Sequence, residues 1–432
     1  MAVEKNPNLR AFLHSGRGAM ARIGVNKSAY WPTADLNGSI QRSYSEGQSG
    51  SSRSGLLFPS TTSTSTDASV TAQYTVWDSG QRKASVASAQ AAYGASDATY
   101  QATVQDLALN VESAYYALEG AQWNLQVAQE TAKQTGFHLE MAQAQHKVGL
   151  VPLSDVLQAS TSNANARLGT IQAESSVTSA MASLAVFMGL PADAAFEIEA
   201  TDRDAQLPGL PDWQSGRERA LAGLPEIKAA FETAESLRFA IKQTEASYLP
   251  SVSASGTAGR FDAGSWPNRN EWSAGLSIRI PLFTGFARKY QVLQAKEAWE
   301  GSKMNLETTK LTSEKAAYDA RTQLATALQS VDAAQTLVQS AQENSDVAEG
   351  QYKNGLGSMT NVVDATTALS GAKYQLISAR LAVLTALATW NRTTGLDLLD
   401  GLTPPSTAVF SGETKGDSLA PREANSMGEP KP

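Results

Sequence analysis

Residues 145–158 read Q-H-K-V-G-L-V-P-L-S-D-V-L-Q, and the fold follows from what stops and restarts there. A long helical pattern ends at Gly149, and glycine accepts the left-handed backbone that closes a last helical turn. A new helix is expected behind a hydroxyl residue, with Ser154 as its cap. The stretch returns once, at 351–366, as Q-Y-K-N-G-L-G-S-M-T-N-V-V-D-A-T, with Gly355 and Thr360 in the corresponding places. Each copy is therefore expected to be the tip of a long helical hairpin. A plain helix–helix corner would account for either copy alone. Two copies at matched positions, each with acidic or amide residues just past the turn, point to a functional end.

Working outward, the repetition extends over most of the chain. One offset relates Pro7 to Pro225 and Pro32 to Pro250 (250 − 32 = 218), and another relates Trp77 to Phe283, Gly149 to Gly355 and Gly189 to Gly395 (355 − 149 = 206). The offset changes between Pro32 and Trp77, where the first copy carries an extra Ser/Thr/Gly run from Ser43 to Ser69. The chain thus reads as a tandem duplication with one variable loop, not a solenoid of short repeats. Residues 1–218 form the first repeat, with strands near 32–43 and 68–77, a helical hairpin over 80–189 and its tip at 147–153. Residues 219–395 form the second, with strands near 250–260 and 272–282, a hairpin over 285–394 and its tip at 353–359. Segments 190–224 and 396–432 stand apart, as a belt around the helices and a Pro/Ser/Gly/Glu tail expected to be disordered.

Strict alternation marks the strands. Ala34, Leu36 and Ile40 alternate with Asp35, Asn37, Ser39 and Gln41, and Val70, Ala72, Tyr74 and Val76 with Thr71, Gln73 and Thr75. The second copy repeats this with Val252, Ala254 and Ala258, then with Leu276, Ile278 and Ile280. Period two means strands with one apolar face. Aromatics cluster at their ends: Tyr30, Trp31, Trp77, Trp266, Trp272 and Phe283. Runs of this length with aromatic girdles match tilted strands of an outer-membrane barrel. A soluble two-sheet sandwich alternates equally well, but four strands parted by long helical stretches make a poor sandwich. Four strands cannot close a membrane barrel alone, so the membrane reading requires an oligomer.

The intervening segments are helical and heptad-patterned. Residues 80–147 contain no proline; Val104, Val111, Leu118, Leu125, Ala132 and Leu139 recur every seven residues. In the second copy Leu324, Val331 and Val338 run beside Ala320, Ala327, Ala334, Ala341 and Ala348. A seven-residue period implies left-handed supercoiling, and seam alanines let helices approach closely, as in a wall of parallel staves.

Composition excludes several function classes. The 432 residues carry a formal charge of −7 with no basic cluster, which argues against nucleic acid. There is no cysteine, so no disulfide or thiolate metal site, and the three histidines, His14, His138 and His146, lack metal-ligand or triad spacing. Phosphate-binding glycine loops and nucleophile elbows are absent. No enzyme and no cofactor are expected. No apolar run is long enough for a membrane-spanning helix. No secretory signal opens the chain, so a mature form or a truncated start is expected.

The tandem copies, the Y-W-P-T-A and Y-L-P-S-V strand starts, the V-W-D-S-G-Q-R and P-L-F-T-G-F-A-R strand-to-helix joints and the two tips together resemble the TolC family of outer-membrane channels. The resemblance spans nearly the whole chain except the tail. It implies a mixed α and β membrane protein: a homotrimer with a shared transmembrane β-barrel in outer-membrane lipid and a tapering α-helical tunnel across the periplasm. It implies partners too, a periplasmic adaptor (membrane fusion) protein and an inner-membrane pump or ABC transporter. On matching positions, Val148, Gly149, Leu150, Asn354, Gly355 and Leu356 would dock the adaptor. Asp364 would form a carboxylate ring at the periplasmic mouth. Asn361 stands where a second acid is common, so a double ring is not expected. Asp155 and Tyr352 would belong to the network that holds the entrance shut, and Gly357 replaces an arginine that locks it in some members. The reading is a passive, gated export duct for small molecules or type I secretion. Alternatives are a porin-like or structural envelope protein with a helical brace, and a soluble coiled-coil scaffold. For Asp155 the plain alternative is a first-turn acid on the helix dipole, and for Asp364 a solvated helix face.

Overall fold

In the computed structural model, residues 5–46, 60–198, 207–262 and 269–396 are described. The elements run α1 Pro7–Ser28, β1 Thr33–Ser45, β2 Thr61–Trp77, α2 Gln81–Lys147, α3 Leu153–Phe187, α4 Trp213–Gly223, α5 Pro225–Ala246, β3 Ser251–Asp262, β4 Arg269–Arg279, α6 Ala287–Lys353 and α7 Met359–Thr393. The duplication is visible in the lengths: α2 and α6 have 67 residues each, α3 and α7 have 35. At about 1.5 Å rise per residue each long helix spans roughly 100 Å.

Seam alanines explain how such helices lie together. Ala320, Leu324, Ala327, Val331, Ala334, Ala341 and Ala348 are all buried. They bring α6 against α7, as Ala114, Leu118 and Ala128 bring α2 against α3. Helix α2 also packs on α1, α5 and α7, which joins the two hairpins side by side. A second stripe on α6, Tyr290, Met304 and Leu311 at multiples of seven, is exposed, and Tyr318 at the next place meets the Trp213 ring of α4 edge-on at 5.3 Å.

The four strands form one antiparallel sheet in the order β1-β2-β3-β4. Register aligns Leu36 with Val70, Val70 with Ala258, and Ala258 with Trp272, so the apolar residues of all strands share one face. That face is open: Leu36, Ile40, Trp272, Leu276 and Ile278 are strongly exposed. Strands β1 and β4 each leave one edge unpaired. Strand β2 starts at Thr61 instead of near 68, because the Ser/Thr run continues the ladder with β1, Thr61 pairing with Ser45. Threonine is β-branched and suits a strand, although a Ser/Thr run reads as a loop. Residues 47–59 of the variable loop, Trp266 and the tail from 397 onward lie outside the described residues.

Strand-to-helix joints are built alike in both repeats. Asp78 accepts bonds from the Arg82 N–H at 2.8 Å and its Nε at 2.9 Å, and the Arg82 guanidinium lies 4.8 Å from the Tyr30 ring centroid. Arg288 repeats the stacking on Tyr248 at 5.2 Å and donates to the Pro281 carbonyl at 3.1 Å. Of the expected belt, α4 lies on the middle of α6, held by Arg217–Glu314 at 2.6 Å and by Arg321 donating to the Pro211 carbonyl at 3.1 Å. Buried Arg392 bridges Asp106 and Glu226, tying α7 to α2 and α5.

Candidate gate and docking tips

Both hairpins end on the same closure. Gly149 and Gly355 have φ of +78° and +70°. Gly149 N–H donates to His146 O at 2.9 Å and Leu150 N–H to Gln145 O at 2.9 Å; Gly355 and Leu356 do the same to Tyr352 at 3.0 Å and Gln351 at 2.8 Å. This paired closure satisfies the last carbonyls of the helix. It thrusts Val148, Leu150 and Leu356 into solvent, and Asn354 spends its amide on the Gly350 carbonyl at 2.8 Å.

Beyond the turns the expected caps are corrected. Helix α3 begins at Leu153 behind Pro152, with no side-chain cap; Ser154 lies inside the helix and bonds Asp155 Oδ1 at 3.4 Å. Helix α7 begins at Met359 and is capped by Ser358, whose side chain accepts from Asn361 N–H at 3.4 Å; Thr360 is not the cap. Both helices start earlier than expected, because an extended Pro152 or Ser358 already supplies the boundary conformation. The Ser358–Asn361 spacing was a signal available in the sequence.

All four helix ends meet in one apolar pad of Ala142, Ala159, Tyr352, Met359 and Val362. Tyr352 is only 2 % exposed. Its hydroxyl makes no well-formed hydrogen bond. Burial first, then the nearby charge of Asp155, push its pKa up to about 12. Asp155 and Tyr352 are thus brought together across the two hairpins, although 197 positions separate them (352 − 155 = 197). Asn361 and Asp364 lie exposed, one turn apart, at the start of α7. Gly357 sits hard against the last turn of α6: a Cβ there would come within 3.1 Å of the Gln351 Cβ.

Above the pad, a groove of about 790 Å³ runs between α2, α3 and α7, lined by hydroxyl and amide groups such as Thr131, Thr161, Asn165, Thr367 and Tyr374. Among the described residues no cluster of groups suits a metal ion. No described helix is long and apolar enough to cross a membrane.

Comparison with known proteins agrees with this architecture. The family model "Outer membrane efflux protein" matches residues 1–190 and 217–396, one match per repeat. The chain is 26 % identical over 423 residues to outer membrane protein TolC of Escherichia coli (strain K12), covering 93 % of this chain and 83 % of that protein. It is 25 % identical over 305 residues to the alkaline protease secretion protein AprF of Pseudomonas aeruginosa, covering 68 % of this chain and 62 % of that protein. Among solved structures, the outer-membrane channel OprN superposes with a TM-score of 0.77 at 18 % identity, over 92 % of this chain and 88 % of that one. The open-state MtrE channel of Neisseria gonorrhoeae does so at 0.74 and 20 %, over 92 % and 88 %. With both repeats matched, the chain belongs to the outer membrane efflux protein family, a family of outer-membrane channels and not of enzymes.

Proposed function

We propose that the chain is the outer-membrane duct of a tripartite export machine, working as a homotrimer. The observation that carries this is the sheet. It exposes one continuous apolar face, leaves two open edges, and is joined directly to helices of about 100 Å. Unpaired edges cannot persist in hydrocarbon, so the sheets of three copies close edge to edge into one barrel. The exposed Tyr290, Met304 and Leu311 on α6 supply the matching contact between neighbouring helical walls.

The tips are then the periplasmic end. Val148, Gly149, Leu150, Asn354, Gly355 and Leu356 dock a periplasmic adaptor, which bridges to an inner-membrane pump or ABC transporter. Tyr352 and Asp155 latch the two hairpins, and the exposed Asp364 forms a ring that favours cations at the mouth. The chain performs no chemistry of its own; it opens and closes a water-filled path. Purified protein in mild detergent should run as a trimer and conduct ions across a planar bilayer. A conducting monomer would overturn the assembly, and a non-conducting trimer the duct.

A further inference from the structure

The gate reading does not use His138, the one buried histidine of the chain's three. It is 3 % exposed, and neither ring nitrogen has a hydrogen-bond partner. It lies one turn before Ala142 on the same face of α2, and Ala142 belongs to the pad where the four helix ends meet. Phe137 flanks it with ring centroids 6.1 Å apart.

The charged groups acting on the imidazole are Glu349 and Lys353, both from α6. These two are already paired with each other, and Lys353 also sits 5.6 Å above the Phe137 ring. On α3, Asp155 faces Tyr352, and on α7 Asp364 points to solvent. Among the described residues the carboxylate acting on the ring is thus Glu349, and its charge is shared with Lys353.

We propose that His138 is an acid-sensitive release for the hairpin tips: protonation places a cation, faced only by the already paired Glu349, one turn from the pad and drives the α6–α7 hairpin away from α2–α3. Burial holds its pKa below the ordinary histidine value, with Glu349 opposing and Lys353 reinforcing. The sign follows from linkage. An open arrangement, with the ring in water, binds the proton at ordinary pH values near 6.5, and the closed one only lower down. The closed arrangement is thus favoured above that value and loses ground as pH falls through it. The duct would therefore loosen in acid. This inference rests on the tips being the gate.

Resting conductance in planar bilayers tests it at pH 7.5 and 5.5, a range above ordinary carboxylate titration. Wild type should open several-fold more at pH 5.5. His138→Gln and His138→Phe, the latter keeping an aromatic ring without a titratable nitrogen, should hold the pH 7.5 value at both. A 13C-histidine titration of the trimer should show a resonance titrating below the ordinary histidine value, absent in His138→Gln. An acid response retained in both variants, or absent from wild type, overturns the release. Tyr352→Phe provides the separate control: unchanged conductance there refutes the tyrosine latch, while His138 is judged on its own variants.

Discussion

The two hairpin tips are the same turn built twice, yet they bury opposite things. At the 206-residue offset Tyr352 corresponds to His146 and Met359 to Leu153 (359 − 153 = 206). Tyr352 and Met359 are 2 % and 1 % exposed, whereas His146 is exposed and Leu153 is 56 % exposed. The second tip turns its side chains into the pad and caps its new helix with Ser358. The first presents Leu150, Leu153 and Leu157 to solvent, and His146 Nδ1 pins the turn to the Val151 carbonyl at 2.9 Å. Helix lengths and glycine closures match in the two copies because seam register depends on them. The residues just outside the closures carry no such constraint, and there the second copy buries its side chains in the pad while the first leaves Leu153 and Leu157 exposed.

The largest effect should come from truncating the equivalent pair. Met359→Ala empties a filled site and should destabilise the tip by about 2–5 kcal/mol. Leu153→Ala, on the exposed counterpart, should stay within about 0.5 kcal/mol. Hydrogen exchange of α6 and α7 end amides reads the difference; equal effects would erase the asymmetry. The closures themselves should behave alike. Gly149→Ala and Gly355→Ala meet open space but keep a positive φ, so each should cost about 1–2 kcal/mol. Gly355→Trp should abolish export while trimers still form in the outer membrane. Normal export from that variant would remove the tips from the docking surface.

Much of this was legible in the residues, for physical reasons. Proline-free heptads and glycine stops announce long hairpins, because both follow from local backbone geometry. Alternation announces the strands and the shared apolar face. The start of β2 was not legible, since whether a Thr-rich run is strand or loop depends on the pairing partner it finds in β1. The caps were misplaced because Ser154 and Thr360 are as competent as the true boundaries one or two residues earlier. His138 carried no pattern beyond its place one turn from Ala142; its burial depends on a hairpin some 200 positions away (349 − 138 = 211). The pairing of Asp155 with Tyr352 came from the family resemblance, not from spacing.

Removing the latch sharpens the comparison at a smaller scale. Tyr352→Phe deletes the hydroxyl facing Asp155 and keeps the ring in the pad. A loose polar contact of this kind contributes at most about 0.5 kcal/mol, the low end for a hydrogen bond, so resting conductance should rise about two-fold. His146→Phe, its counterpart in the first tip, should leave it unchanged. The phenol's raised pKa adds a second readout. The closed arrangement is fully favoured below the ordinary tyrosine value near 10 and is lost as pH rises towards about 12. Wild-type conductance should climb across that window, and Tyr352→Phe should remove the climb.

The two tips differ in charge as well: α7 carries Asn361 and Asp364 on one exposed face and α3 carries Asp155 and Gln158 at the matching places (364 − 158 = 206). The acid nearest the turn thus lies beside Tyr352 in the first tip, while the second keeps its acid a turn further on, exposed to solvent. Copies of Asp364 around a narrow tube raise the local cation concentration. A single ring does so less than two stacked rings, so block by multivalent cations should be weak in wild type. Asn361→Asp should strengthen both selectivity and block, and Asp364→Ala should abolish the preference for cations. Gly357→Arg is the stricter test. Its Cβ must push past Gln351, but a guanidinium reaching a neighbouring helix would add a charge-assisted bond of about 1.5–3 kcal/mol. Resting conductance should then fall, offset in part by the crowding. Reversal potentials in a salt gradient read the first pair, and open probability at rest reads the last. Full cation selectivity in Asp364→Ala would leave that carboxylate as a solvated helix face and nothing more.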